Sequence, residues 1–258
     1  MTHEHRIAML IDADNSPADM IDEVLDELAK EGVINIRRAY GNWKSSHLNA
    51  WAALLHDYAI QPIQQFDYTK GKNATDAAMI IDAMDLLYMK QLDGFGIVSS
   101  DSDFTPLVMR LRANGLKIYG FGEQKTPKPF VNACNKFLYL ESLRRPEEGA
   151  VLDPAEAAPL KSAEQKNGAP SPTRASAATL RGDTRLVNLL RKAVEAAADD
   201  EGWAGLGAVG QHISKQASFD SRNYGYAKLS GLFQAIGLFD VRTHGKGLQV
   251  RDKRAARE

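Results

Sequence analysis

Gly96-Ile97-Val98-Ser99-Ser100-Asp101-Ser102-Asp103-Phe104 is the stretch around which the chain is organised. A short apolar run ends in two carboxylates on either side of one serine, and the helical pattern Thr105 to Asn114 follows at once. The acids therefore land where a buried strand gives way to a helix, the edge at which open α/β sheets bind their ligands. Two carboxylates so close repel one another unless a cation or a shared proton offsets the cost. Serine and aspartate are also good helix N-caps, and anionic groups are favoured at a helix N-terminus. By itself the stretch leaves a cap and a reactive site both open.

Upstream, Arg6 to Ile11 reads as a buried first strand ending at Asp12-Ala13-Asp14-Asn15. Ser16 as N-cap and Pro17 at the first helical position open a helix with Met20, Ile21, Val24, Leu25 and Leu28 on one face, stopped by Gly32. Val33 to Ala39 reads as a strand, His47 to Tyr58 as a helix, and Ala59 to Gln65 as a third strand. A basic loop with Lys70 and Lys72 leads into a long helix that starts near Thr75-Asp76, and the fourth strand carries the opening motif. Downstream come strand Lys117 to Phe121, a short helix near Pro129 to Cys134 and strand Phe137 to Leu140. This β-α rhythm predicts a parallel sheet flanked by helices, in an α/β unit over residues 1–145.

Residues 146–180 are rich in proline, alanine, serine and charge without apolar periodicity, the composition of a flexible linker. Over residues 181–258, three amphipathic patterns precede a hairpin, Phe239 to Arg242 and Leu248 to Val250, turning at Gly245-Lys246-Gly247. Three helices and a hairpin predict a small winged helix-turn-helix-like domain with a basic tail.

The composition, 44% hydrophobic and 25% charged, is that of a globular chain without an apolar run of membrane-spanning length. No signal peptide is visible in the polar start, so a cytoplasmic location is expected. The single cysteine, Cys134, excludes an internal disulfide and a cysteine-based zinc cluster, and buried packing is its expected role. With a net charge of −1, any nucleic-acid contact has to come from local basic patches.

The first unit places carboxylates at three separated points: Asp12 and Asp14 after strand one, Asp76 at a helix start, and Asp101 and Asp103 after strand four. Strands one and four are commonly neighbours at the topological switch point of a doubly wound sheet, which brings these acids into one cleft. Clustered oxygen ligands suit Mg²⁺ or Mn²⁺ and not zinc. Lys70, Lys72, Lys125 and Lys128 are candidates for flanking phosphates. Asp82 and Asp85 point well away from Asp76 on a helical wheel and are expected to face solvent or cap. His3, His5, His47, His56, His212 and His244 offer no general base.

The runs IDADN (Ile11 to Asn15), GKNATDAAMIIDAM (Gly71 to Met84) and VSSDSDFTPLVMRLRANG (Val98 to Gly115) resemble the NYN domain, a branch of the PIN-like metal-dependent ribonucleases, over about residues 6 to 143. The resemblance implies a Rossmann-like PIN-type fold. It implies metal binding and catalysis by Asp12, Asp76, Asp101 and Asp103, with Asn15 orienting a ligand or substrate phosphate and Ser100, Lys70 and Lys72 near the substrate. It also implies hydrolysis of RNA to a 5′-phosphate and a 3′-hydroxyl. Serines stand at positions 100 and 102, where the family often has glycine.

In the second unit, Asp200 to Leu206 and Phe219 to Leu229 resemble the OST-HTH or LOTUS module, whose members bind RNA or recruit RNA-handling proteins. Arg222, Tyr224, Tyr226 and Lys228 can stack bases and neutralise phosphates, although Tyr224 and Tyr226 also fit a core. RNA, single-stranded or structured, is the expected partner; a protein partner through this module and a homodimer stand beside it. The leading expectation is a Mg²⁺- or Mn²⁺-dependent ribonuclease with a C-terminal RNA-binding module. A non-catalytic RNA-binding or regulatory adaptor is the alternative. A haloacid-dehalogenase-like phosphatase using Asp12-x-Asp14 is a lesser one, disfavoured by Asn15-Ser16-Pro17.

Overall fold

Strand β1 (Arg6–Asp12) shows how the first unit is built, because it is buried on both faces after Arg6. Side chains alternate along a strand, so Ile7, Met9 and Ile11 enter one core and Ala8 and Leu10 the other. The first core is closed by α1 (Ile21–Ala29) and α2 (Asn49–Leu54), the second by α3 (Ala74–Met89), α4 (Thr105–Ala113) and α5 (Lys128–Ala133). Strands β2 (Val33–Gly41), β3 (Gln61–Gln64), β4 (Gly94–Val98), β5 (Lys117–Gly122) and β6 (Lys136–Tyr139) complete a six-stranded sheet ordered β3-β2-β1-β4-β5-β6. Every neighbouring pair is parallel. A short helix, α6 (Leu140–Leu143), follows β6. The computed structural model describes residues 4–66, 74–89, 91–144, 174–245 and 247–255.

This is the expected Rossmann-like PIN-type sheet. The direction of winding reverses between β1 and β4, which are hydrogen-bonded neighbours with Ile11 opposite Val98. The crevice beyond their carboxyl ends is the switch point of the sheet. Close layering is helped at Gly96, where an added Cβ would stand 2.6 Å from the Leu28 side chain of α1.

The second unit consists of α7 (Ala177–Gly182), α8 (Thr184–Ala197), β7 (Ala204–Gly205), α9 (Leu206–Gln216), α10 (Leu229–Ile236), β8 (Phe239–His244) and β9 (Gly247–Asp252). Its antiparallel sheet, β7-β9-β8, packs with the helices around Leu180, Leu190, Val209, Ile213, Leu232, Phe233, Ile236 and Val250. Two helices, a short strand, two more helices and a hairpin make a winged helix-turn-helix-like domain. Helix α7 starts inside the stretch expected to be linker, and its Leu180 is fully buried. Most of that stretch, residues 146–173, lies outside the described residues.

Several local expectations change. Ser16 does not cap α1: a 3-10 turn, Ala18–Met20, intervenes, and the Ser16 hydroxyl donates to the Val98 carbonyl at 3.2 Å. The helix expected over His47 to Tyr58 is a 3-10 turn, Ser46–Leu48, followed by the short α2. Asp82 does not face solvent; it accepts hydrogen bonds from Arg38 and Tyr40 and ties α3 to β2. Cys134 is buried, and burial pushes its thiol up to about 12. Among the described residues no helix is long and apolar enough to cross a membrane.

Candidate active site

Three places in the fold deliver acids to the switch-point crevice: the end of β1, the first turn of α3 and the loop after β4. Asp12 is the last residue of β1, fully buried. Burial is affordable because its carboxylate accepts hydrogen bonds from Ser99 Oγ at 2.9 Å and from Asn15 Nδ2 at 3.2 and 3.3 Å. Desolvation still wins: burial, helped by the charges of Asp76 and Asp14, pushes Asp12 up to about 6 against the pull of Ser99 and Asn15.

Ser99 also accepts from the Asp101 backbone N–H at 3.0 Å, so one hydroxyl links the end of β1 to the loop after β4. Asp101 is itself the N-cap of the 3-10 turn Ser102–Phe104, accepting from the Asp103 N–H at 2.8 Å. Capping and clustering thus use the same side chain.

Asp76, buried in the first turn of α3, faces this loop. Carboxylate oxygens of Asp76, Asp101 and Asp103 all lie within 4.8 Å of one another. Burial and the charges of Asp101, Asp103 and Asp14 raise the Asp76 pKa. Three hard oxygen donors brought this close together fit a divalent ion of the Mg²⁺ or Mn²⁺ class. Asp12 lies outside this triad and is held by Ser99 and Asn15.

Asp14 has a different place. It accepts from Thr75 Oγ1 at 2.8 Å and from the Asn42 N–H at 3.4 Å, and lies 3.2 Å from His47 Nε2. His47 Nδ1 is in turn 2.6 Å from Ser45 Oγ. Neither Ser99 nor His47 was singled out from sequence. Ser99 is one of two adjacent serines and its partner Asp12 is 87 residues away; the partner of His47 is 33 residues away, and neither pairing has a local signature.

The remaining candidates do not all converge here. Ser100 turns its hydroxyl to accept from the Glu123 N–H at 2.9 Å, joining the loops after β4 and β5. Lys125 pairs with Glu123. Lys70 and Lys72 lie outside the described residues.

In the second unit Arg222 is spent within the protein. It reaches Glu27 of α1 with both terminal nitrogens, at 2.7 and 2.9 Å, and also holds Asp220. Tyr224 is half-buried, stacked on Phe219 at 6.0 Å, with its hydroxyl 3.3 Å from Asp183. Tyr226 donates to the Ala175 carbonyl at 2.7 Å, and Lys228 is exposed. Arg222 and Tyr224 thus each have partners within the protein.

The acid cluster at the switch point of a β3-β2-β1-β4-β5-β6 sheet agrees with the comparison to known families, in which the NYN domain matches residues 6–141. The chain belongs to the NYN family. An OST-HTH/LOTUS domain matches residues 181–251. An NYN domain carries the PIN-like nuclease fold, and the OST-HTH module points to RNA binding. An uncharacterized protein of Methanocaldococcus jannaschii is 32% identical over 130 residues, 47% of this chain and 49% of the relative. The chain thus spans about half the length of the curated relative it matches. A crystal structure of a Vibrio parahaemolyticus protein of unknown function is 18% identical, with a TM-score of 0.44, covering 54% of this chain and 94% of its own. A solution structure of an uncharacterized Nitrosomonas europaea protein is 33% identical, with a TM-score of 0.26, covering 40% and 92%.

Proposed function

We propose that this NYN protein is a Mg²⁺- or Mn²⁺-dependent ribonuclease that hydrolyses RNA phosphodiester bonds, with the OST-HTH module as its RNA-binding partner domain. The observation that carries the reading is the Asp76-Asp101-Asp103 triad, whose oxygens lie within 4.8 Å of one another at the switch point. These three side chains hold the ion, and when bound it activates water and neutralises phosphate charge. Asp101 is oriented by the Asp103 N–H and its own N–H is fixed by Ser99, so the ligand loop is preorganised before any ion arrives. Asp12 adds a further carboxylate within electrostatic reach of Asp76, oriented by Ser99 and Asn15. Asn15 acts through Asp12 and not on the substrate in this reading.

The buried Asp12 carboxylate, with both oxygens occupied, is poorly placed as the nucleophile of a phosphatase. The test is cleavage of a labelled single-stranded RNA with Mg²⁺ or Mn²⁺ by wild type, Asp101→Asn and Asp76→Asn purified in parallel. A drop of at least about a hundredfold in both variants is expected, on the scale of losing electrostatic stabilisation of a reacting phosphate. RNA binding with no metal-dependent cleavage in wild type would instead select the adaptor.

A further inference from the structure

An anionic polymer is repelled by the first part of this chain and attracted by the second. Residues 1–173 hold 18 Lys and Arg against 24 Asp and Glu, and residues 174–258 hold 14 against 9. Within the second unit that charge does not sit on α10, which stands where a helix-turn-helix carries its recognition helix and has no charged residue in Leu229–Ile236. It gathers on the hairpin, where the run Phe239 to Arg254 holds five Lys and Arg against two Asp.

The outer face of this wing is fixed by register. Val241 pairs with Val250 across β8 and β9 and both turn into the core, so Asp240, Arg242, Gln249 and Arg251 stand on the opposite face. The Trp203 ring, 8% exposed, meets them there: the guanidinium carbons of Arg242 and Arg251 are 3.8 and 4.5 Å from its centre. The Trp203 N–H donates to Asp199 at 2.8 Å and the next residue, Ala204, pairs with Val250, which seats the indole against β9. Two cations over one ring repel each other. The carboxylate on this face, Asp240, lies 3.5 Å from Arg251. Arg242 spends its Nε on Gln249 at 2.9 Å, and no carboxylate among the described residues pairs with it. Arg251 Nε is buried without a hydrogen-bond partner among the described residues.

We propose that this wing face is where the module grips RNA, with Arg242 and Arg251 on backbone phosphates, and that α10 is not the contact helix. The proposal rests on the RNA-binding part of the reading above. Guanidinium groups offer phosphate two N–H donors at once, and stacking on an aromatic ring leaves those donors in place. Held over an indole, the two side chains lose less freedom when phosphate arrives than free ones would. A protein partner fits this face less well, because interface cores are built on aromatic and apolar anchors. The exposed large apolar side chains among the described residues, Val33, Phe66, Ile81, Tyr88 and Met109, all belong to the first unit.

The experiment is fluorescence anisotropy of a labelled, unpaired oligoribonucleotide with the full chain in EDTA, where cleavage plays no part, over a salt series. Arg242→Gln and Arg251→Gln are each expected to reduce the slope of log affinity against log salt by about 0.7, one single-strand phosphate contact, and to weaken binding roughly tenfold. Arg242→Lys and Arg251→Lys keep the charge and are expected to keep the slope. Gln234→Glu puts an anion on the exposed side of α10 and should change affinity by less than about twofold at ~0.15 M salt, where charges more than about 8 Å apart are screened. Slopes untouched by the glutamine substitutions, an equal loss of slope in the lysine variants, a larger loss from Gln234→Glu than from either arginine, or no binding by wild type overturns the wing site. Wild-type binding with unchanged wing slopes leaves the ribonuclease reading standing, whereas wing-dependent binding by a protein that never cleaves RNA with Mg²⁺ or Mn²⁺ upholds the wing and removes that reading.

Discussion

Asp12 is costly to the protein that contains it. Its pKa of about 6 in the folded chain, against an ordinary 3.8, means that the folded state binds more protons than the unfolded state between these values. Stability therefore falls as pH rises from about 4 to about 6, by up to ~3 kcal/mol for a shift of this size. Asp12→Asn removes the charge while keeping the shape, so the metal-free variant is expected to be more stable than wild type at pH 7 by about 1 to 2 kcal/mol, the amide's clash with the Asn15 donor taking back part of the gain. Urea unfolding at pH 4 and pH 7 checks this: the difference between the two proteins should shrink at the lower pH, and a variant less stable at both overturns it. The acids themselves were legible, because carboxylates after apolar runs mark strand ends. Ser99, the group that makes burial of Asp12 tolerable, was not, since one hydroxyl in a run of serines looks like any other until the strand's register is known.

At the scale of elements, α3 must hold Asp76 in place over the sheet, and its anchor is Asp82, further along the same helix. Arg38 and Tyr40 of β2 both donate to the Asp82 carboxylate, and Tyr40 is fully buried. Burial and the Asp82 charge push the Tyr40 hydroxyl far above the ordinary tyrosine range, so it remains a donor at any physiological pH. Asp82→Ala leaves a guanidinium and a buried hydroxyl without their acceptor, and a loss of about 2 to 3 kcal/mol is expected in chemical denaturation. With Asp76 less firmly held, Mn²⁺ should raise the thermal midpoint of this variant by less than that of wild type; equal shifts would make the anchor irrelevant to the site. The β-α alternation was readable because each strand and each helix face carries its own apolar period. The early end of α2 at Leu54 was not, because the chain continues through hydrogen-bonded turns, Tyr58 N–H to the Leu54 carbonyl and Ala59 N–H to the His56 carbonyl, before Ala59 reverses it at φ 50°, and such turns carry no break in sequence. Asp82 was misassigned because a helical wheel gives directions relative to Asp76 and says nothing about which strand lies opposite.

The whole molecule is joined where sequence reading expected an RNA-facing surface. Arg222 grips Glu27 while Asn223 meets β6, donating to the Phe137 carbonyl at 2.9 Å and accepting from the Tyr139 N–H at 3.1 Å. The amide side chain thus takes the place of a neighbouring strand on the exposed edge of the sheet, which stands last in its strand order. Glu27 and Arg222 are 195 residues apart, and no local pattern could pair them. Burial would push Glu27 up, but hydrogen bonds and charge from Arg222 and Lys30 more than offset it and bring the pKa down to about 2. With the folded value below the ordinary 4.5, this stabilisation is fully present above about pH 4.5 and is lost as pH falls toward 2. Breaking the pair at neutral pH leaves one charge partly buried and unmatched, which costs about 2 to 4 kcal/mol. Glu27→Arg sets two cations face to face and is expected to separate the domains, raising the radius of gyration measured by small-angle X-ray scattering. Glu27→Arg combined with Arg222→Glu should recover the compact value, at the expense of the Asp220 contact. If Glu27→Arg scatters like wild type at pH 7, the ion pair does not hold the OST-HTH module against the NYN domain. If the single variant expands and the exchanged pair contracts again, Arg222 is shown to serve the junction, and RNA has to meet that module on another face.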